Sequence, residues 1–278
     1  MWLIIKNEWK FLRRNRTLLA VSLGFLLVLV LSVALGNWQS QTQLQRYQAA
    51  KAELRQDWEN IEAMNPHGAA HYGTYVFKPQ SMLSSLDGGV SSVTGNVLRV
   101  EGHVQNEIVH SEASQMQFIS KFGKLKSSLL LQYVLPLLLL FLAFHSVSSE
   151  KQSGRLKLLV LQGANLPRLI WAKTLSVWLY GMGLLSITIL VYAFFTYQSL
   201  NAEVAARACF FYLAYALYYF IISGLTVVLS ARWQNATLTL TSMIGIWILW
   251  TIFLPNILMS SVEKWHELPS RKIGRAHV

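Results

Sequence analysis

Charge is sparse in this chain, and acids are the sparser sign. Charged side chains make up 13% of the 278 residues, with 13 Asp and Glu against 24 Lys and Arg. That is too little charge, and 53% hydrophobic residues too much, for an ordinary soluble domain of this length. Cysteine occurs once, as Cys209, which excludes a disulfide within the chain. The phosphate-cradling pattern G-x-x-x-x-G-K-[ST] is missing: Gly89 and Gly95 stand one residue too far apart and no lysine follows. If ATP drives this protein, a separate chain must bind it. No Ser, His and acid set points to hydrolysis, so no catalytic residue is assigned.

What the chain does have is long uncharged runs. They cover residues 17–36, 127–147, 174–197, 208–230 and 236–259. Each is long enough to cross roughly 30 Å of hydrocarbon as a helix that satisfies its own backbone. The expected fold is therefore mainly α: a multi-pass membrane protein with five transmembrane helices. Arg13, Arg14 and Arg16 precede the first run, and Ala34-Leu35-Gly36 offers a small-residue cleavage site, as in a signal peptide. The run exceeds the usual apolar region of about 7–15 residues, which favours an uncleaved anchor. Buried acids or bases mark ion-coupled transporters and pumps, and their near absence from the five runs, where His145 is the one ionisable group close to hydrocarbon, argues against those classes.

The excess positive charge lies on alternate loops rather than on one face, which argues against a nucleic-acid partner. Residues 1–16 carry five basic side chains against one acid, and 148–173 again five against one. Arg232 adds one more at 231–235, whereas 37–126 and 198–207 are balanced. The positive-inside rule then puts the N-terminus, 148–173 and 231–235 in the cytoplasm, with 37–126, 198–207 and 260–278 outside. Lys121, Lys124 and Lys126 run against this assignment, but they belong to a long translocated segment where the rule weakens.

Within residues 1–16, Trp2, Ile5, Trp9 and Leu12 recur at helical spacing, with Lys6, Lys10 and Arg13 beside them. This reads as a helix lying in the membrane interface, with Trp2, Trp9, Lys10 and Arg13 as anchors to lipid. The alternative is a plain solvated basic leader. After the first span, Leu44, Tyr47, Leu54, Trp58 and Ile61 predict an amphipathic helix stopped by Asn65-Pro66. Strand-like runs follow at Thr74 to Phe77 and Asn96 to Val100, and residues 104–126 again look helical. The segment 37–126 is thus expected to form a mixed α/β extracytoplasmic domain.

His67 and His71 have the i, i+4 spacing of a helical metal pair, and His103 and His110 lie in the same segment. However, Gly68 stands where a zinc protease motif needs Glu, and Pro66, Gly68 and Gly73 argue against a regular helix here. No metal or other cofactor is assigned, and packed or hydrogen-bonded imidazoles are expected. His145, near the end of the second run, is expected to reach lipid headgroups. Pro136 and Pro255 are candidate kinks, and Gly181, Gly183, Gly224 and Gly245 candidate close contacts. Tyr212, Tyr215, Tyr218 and Tyr219 point to a partner helix, a polar path or an aromatic belt.

The stretch 148–173 is a compact basic elbow. Glu150 ends the second span, Gly154 breaks the chain, Arg155 to Gln162 makes about two helical turns, and Gly163 suits a C-terminal cap. Asn165 caps a new helix with Pro167 in its first turn. Lys151, Arg155, Lys157, Arg168 and Lys173 would pin the elbow to the inner membrane surface. A basic connector with no further role is the plainer reading.

These residues resemble the type-2 ABC transporter permease family, whose elbow reads approximately E-R-E-x-G-T-L-[RK]-L-L-L-x-x-G followed by a helix bearing a Lys. Glu150, Gly154, Leu156, Lys157, Leu158, Leu159, Gly163 and Lys173 match, while Gln152 and Arg155 depart from it. Glu8-Trp9 and Arg13 resemble the family's N-terminal signature. "AAHYGTYVFKP", "LDGGV", "EGHVQNE" and "KFG" resemble a subgroup with a large extracytoplasmic domain after the first span. Gly88 replaces a Pro there and Lys121 an Arg.

The resemblance implies the permease subunit of an ABC-type exporter in the bacterial inner membrane. A cytoplasmic ABC ATPase would engage Glu150, Gly154, Arg155, Leu156, Leu159 and Gly163, and a second permease subunit would pair with the spans. The alternative is a membrane-anchored sensor or scaffold with a ligand-binding extracytoplasmic domain. Family members usually have a sixth span, and Ile273 to Val278 reads as a translated sequencing adapter, so a truncated C-terminus is expected.

Overall fold

The computed structural model describes residues 1–78, 81–89, 97–100 and 126–265. The expected helix over 104–126 lies outside them. Helix α1 covers Trp2–Arg14, and α2, Arg16–Glu59, begins after a single extended residue, Asn15. Then come α3 (Pro66–Tyr72), β1 (Thr74–Phe77) and β2 (Val97–Val100). The second span has a helical turn at Ser127–Leu129, a wide π-type turn at Leu130–Val134, and α4 (Leu135–Ala143). The remaining helices are α5 (Ser148–Gln152), α6 (Arg155–Leu161), α7 (Leu166–Thr196) and α8 (Ala202–Arg232). The last span joins α9 (Ala236–Ile248) through a second π-type turn, Leu249–Phe253, to α10 (Leu254–Trp265).

Among the described residues five helices are long and apolar enough to cross a membrane. The contacts divide the chain into two compact units. Residues 1–31 and 128–265 make a helical unit in which α7 packs on α8, α4 and α1, and α8 and α9 both pack on α4. Its core comprises Leu29 of α2, Leu135 and Leu139 of α4, Leu185 of α7 and Tyr219 of α8, all fully buried.

Pro136 and Pro255 each stand two residues after the end of a π-type turn. Pro136 lacks an N–H and its ring crowds the carbonyl four residues back, so the helix widens there and carbonyls lose their usual donors. Tyr218 and Tyr219 of α8 supply replacements: their hydroxyls donate to Gln132 O (3.1 Å) and Leu131 O (2.9 Å). Tyr212 hydrogen-bonds Ser186 of α7 at 3.0 Å. These three tyrosines each bond to a neighbouring helix. Of the four glycines singled out as candidate close contacts, Gly181 makes the closest approach: a Cβ there would lie 3.0 Å from Leu139 of α4, whereas Gly183 and Gly245 face open space. Buried Ser176, Thr188 and Thr226 turn their hydroxyls back to the carbonyl four residues earlier, which hides polarity within each helix.

In the second unit, within residues 32–127, β1 and β2 pair antiparallel, with Thr74 opposite Val100 and Phe77 opposite Val97. Both strands fall where the strand-like runs put them. Only the far end of the expected amphipathic helix differs from the reading, since α2 continues the first span without a break. Helix α2 stops at Glu59, and Asn65-Pro66 starts a helix instead of ending one: the Asn65 side chain accepts from Gly68 N at 2.6 Å, and Pro66 occupies the first turn, where no N–H is needed. The expectation of irregular chain around His67 is thereby corrected.

Candidate coupling site

The elbow forms as its glycines require. Gly154 (φ 73°) and Gly163 (φ 87°) take left-handed backbone at the two ends of α6, a conformation that side chains disfavour. Asn165 Oδ1 accepts from Arg168 N at 3.2 Å and starts α7, whose first turn holds Pro167. Helices α5, α6 and the start of α7 therefore make a hairpin with α6 at its tip. Leu156 faces inward, while Leu158, Val160 and Leu161 are exposed, Leu161 at 83%. Leu159 is half-buried, and Arg155, Lys157 and Arg168 are exposed.

The base of the hairpin is closed by charge. Lys173 of α7, with a side chain only 3% exposed, places Nζ 2.9 Å from Glu150 Oε1 of α5 and 2.5 Å from Glu8 Oε1 of α1. Its expected role as a headgroup anchor is corrected: an ammonium this buried needs counter-charges, and two carboxylates supply them. Glu150 Oε2 is buried without a hydrogen-bond partner, as are Trp9 Nε1 and His145 Nδ1. His145 lies within electrostatic reach of Glu8 and Lys173, so it borders this cluster instead of reaching headgroups. With two acids to one base, the cluster carries excess negative charge.

Further bonds hold the elbow to the end of α8. Ser230 Oγ accepts from the backbone N–H of Val147 and of Ser148, each at 3.1 Å. Lys151 donates to Ala231 O, and Gln152 Nε2 to Gln234 O at 3.0 Å. Lys151 thus also holds protein rather than lipid. Ser230, Ala231 and Gln234 carry no sequence signal, because two of the bonds go to backbone carbonyls that any residue offers. Glu8 did carry a signal, as part of the N-terminal signature, but its partner 165 positions away was not legible.

Along α1 the predicted stripe divides. Ile5 is buried, and Glu8, Trp9 and Leu12 are half-buried, on the side packed against α7. Trp2, Lys10 and Arg13 are exposed, together with Leu3 and Phe11.

In the second unit, the Nε2 atoms of His67 and His71 lie 3.3 Å apart across one turn of α3. The imidazoles meet each other as expected, and no group of three or more potential metal ligands occurs among the described residues. The same unit has a groove of about 590 Å³, lined by Lys51, Arg55, Trp58, Tyr75, Phe77 and Val100 among others.

Five long apolar helices and a partly apolar elbow on a charged base define a polytopic membrane protein. The chain belongs to the ABC-2 family transporter proteins, whose family model matches residues 2–270. Neither a curated protein nor a solved structure matches it. Membership makes it the membrane component of an ABC transporter, which works with an ATP-binding subunit.

Proposed function

We propose that this chain is the permease subunit of an exporter in a bacterial inner membrane, and that α6 is the element its ATPase grips. The supporting observation is the exposure of three apolar side chains, Leu158, Val160 and Leu161, on a short helix bounded by Gly154 and Gly163. A soluble connector gains nothing from exposing three such side chains, whereas a partner groove can bury them. Gly154 and Gly163 set the angle of the tip, Glu150 anchors its base, and Arg155 and Lys157 offer charge beside the apolar face. Leu156 and Leu159 support the tip from within. Trp2, Lys10 and Arg13 face lipid headgroups, and a second permease chain completes the transport path. Residues 37–126 form the extracytoplasmic domain that meets substrate or a partner protein.

The test is recruitment of the cognate ATPase to the permease in lipid nanodiscs. Changing Leu158 and Leu161 together to Asp removes an exposed contact without opening the core, so folding persists and recruitment falls about tenfold or more. Undiminished recruitment would falsify the assignment of α6.

A second reading, a membrane-anchored sensor or scaffold, draws support from the groove near Trp58 and Tyr75, whose aromatic wall and cationic rim of Lys51 and Arg55 suit a ligand. A chain that never stimulates ATP hydrolysis by its partner would favour this reading.

A further inference from the structure

The ammonium of Lys173 joins three elements that are remote in sequence: Glu8 lies 165 positions away and Glu150 lies 23. Two consequences follow from their places in the chain. The bond to Glu150 closes the base of the hairpin whose tip is α6. The bond to Glu8 fastens α1 to that same base, and only Asn15 separates α1 from the first span.

We propose that Lys173 is a positioning residue that makes α1 part of the moving body, so that a displacement delivered at α6 is carried to the start of the first span. The proposal rests on the reading of α6 as the ATPase dock, and it adds the path by which motion leaves the elbow. Apolar contacts between α1 and α7 tolerate sliding, because dispersion is weakly directional. An ammonium held at 2.5 Å and 2.9 Å by two carboxylates does not, since sliding exposes buried charge to an apolar surround. The excess acid reinforces the clamp: if Lys173 leaves, two carboxylates face each other.

The unequal charge count also separates positioning from mere stabilisation. Glu8→Gln leaves a neutral Lys173–Glu150 pair in place, so a purely structural cluster would hardly notice the change. If the cluster is a clamp, the same variant releases α1, because Glu8 supplies its one ion pair to α7 among the described residues.

The experiment uses the full chain in nanodiscs with Cys209→Ser, spin-labelled at Asn7→Cys on α1 and at Gln162→Cys beside α6. The unaltered cluster gives one narrow distance distribution. In Glu8→Gln it broadens about twofold or more while the thermal midpoint moves by less than about 2 °C. Lys173→Arg retains the narrow distribution, and permease-dependent ATP hydrolysis in the Glu8→Gln complex falls about tenfold. An unchanged distribution in Glu8→Gln overturns the proposal, and so does broadening accompanied by a large fall in midpoint, which marks a structural role. Broadening as expected, in a chain that recruits no ATPase even before alteration, upholds the clamp and instead removes the reading of α6 as the dock.

Discussion

In the unit formed by residues 1–31 and 128–265, the one lysine withdrawn from water meets two carboxylates, and helix polarity is hidden by back-bonded hydroxyls and tyrosines. Within 32–127 the ion pair Arg55–Glu59 is more than half exposed on both sides, the histidine pair is exposed, and a groove stays open. The difference follows from solvent. A polar group buried among apolar helices gains most from a partner within the protein, whereas a group on a wet surface can leave water as its partner. The first unit is therefore specified by a few irreplaceable polar contacts, and the second is tolerant of change at its charged positions.

That contrast can be broken by mutation, and the largest effect is expected at Lys173. Lys173→Met strands two partly buried carboxylates and should cost about 3 kcal/mol, read as a steep loss of folded protein in thermal unfolding in detergent. Gly181→Val comes next, because its branches run into Leu139; overpacking should cost about 1–3 kcal/mol, with Gly183→Val as the harmless control. Tyr219→Phe removes a buried donor from Leu131 O and should cost about 1–2 kcal/mol, more than Tyr218→Phe, whose hydrogen bond is exposed. In the second unit, Asn65→Ala removes the cap of α3 and should lower the local stability of residues 66–72 by about 1 kcal/mol in hydrogen exchange. Smallest of all, Arg55→Ala should stay within about 0.5 kcal/mol, and a larger loss there would erase the distinction between the units.

Legibility followed the range of the interaction. The spans were readable because one uncharged run after another has membrane length, and the elbow because Gly154, Gly163, Asn165 and Pro167 act on their immediate neighbours. The strands at Thr74–Phe77 and Val97–Val100 were readable as short strand-like runs, although their pairing was not. Around His67 the local reading went astray: Pro66 and Gly68 were weighed as helix breakers, but at a capped first turn neither removes a needed bond.

Composition and local pattern alone determined that this chain crosses a membrane several times and where it bends between the second and third spans, while the family was implied by the resemblance of its motifs. Only the tertiary structure decided that Lys173 turns inward to Glu8 and Glu150 and that Tyr218 and Tyr219 mend the carbonyls freed before Pro136. The physical reason is distance along the chain. A helix cap is set by residues three or four apart, but a buried charge is satisfied by whichever side chain the packing brings within about 3 Å, and sequence separation does not record that.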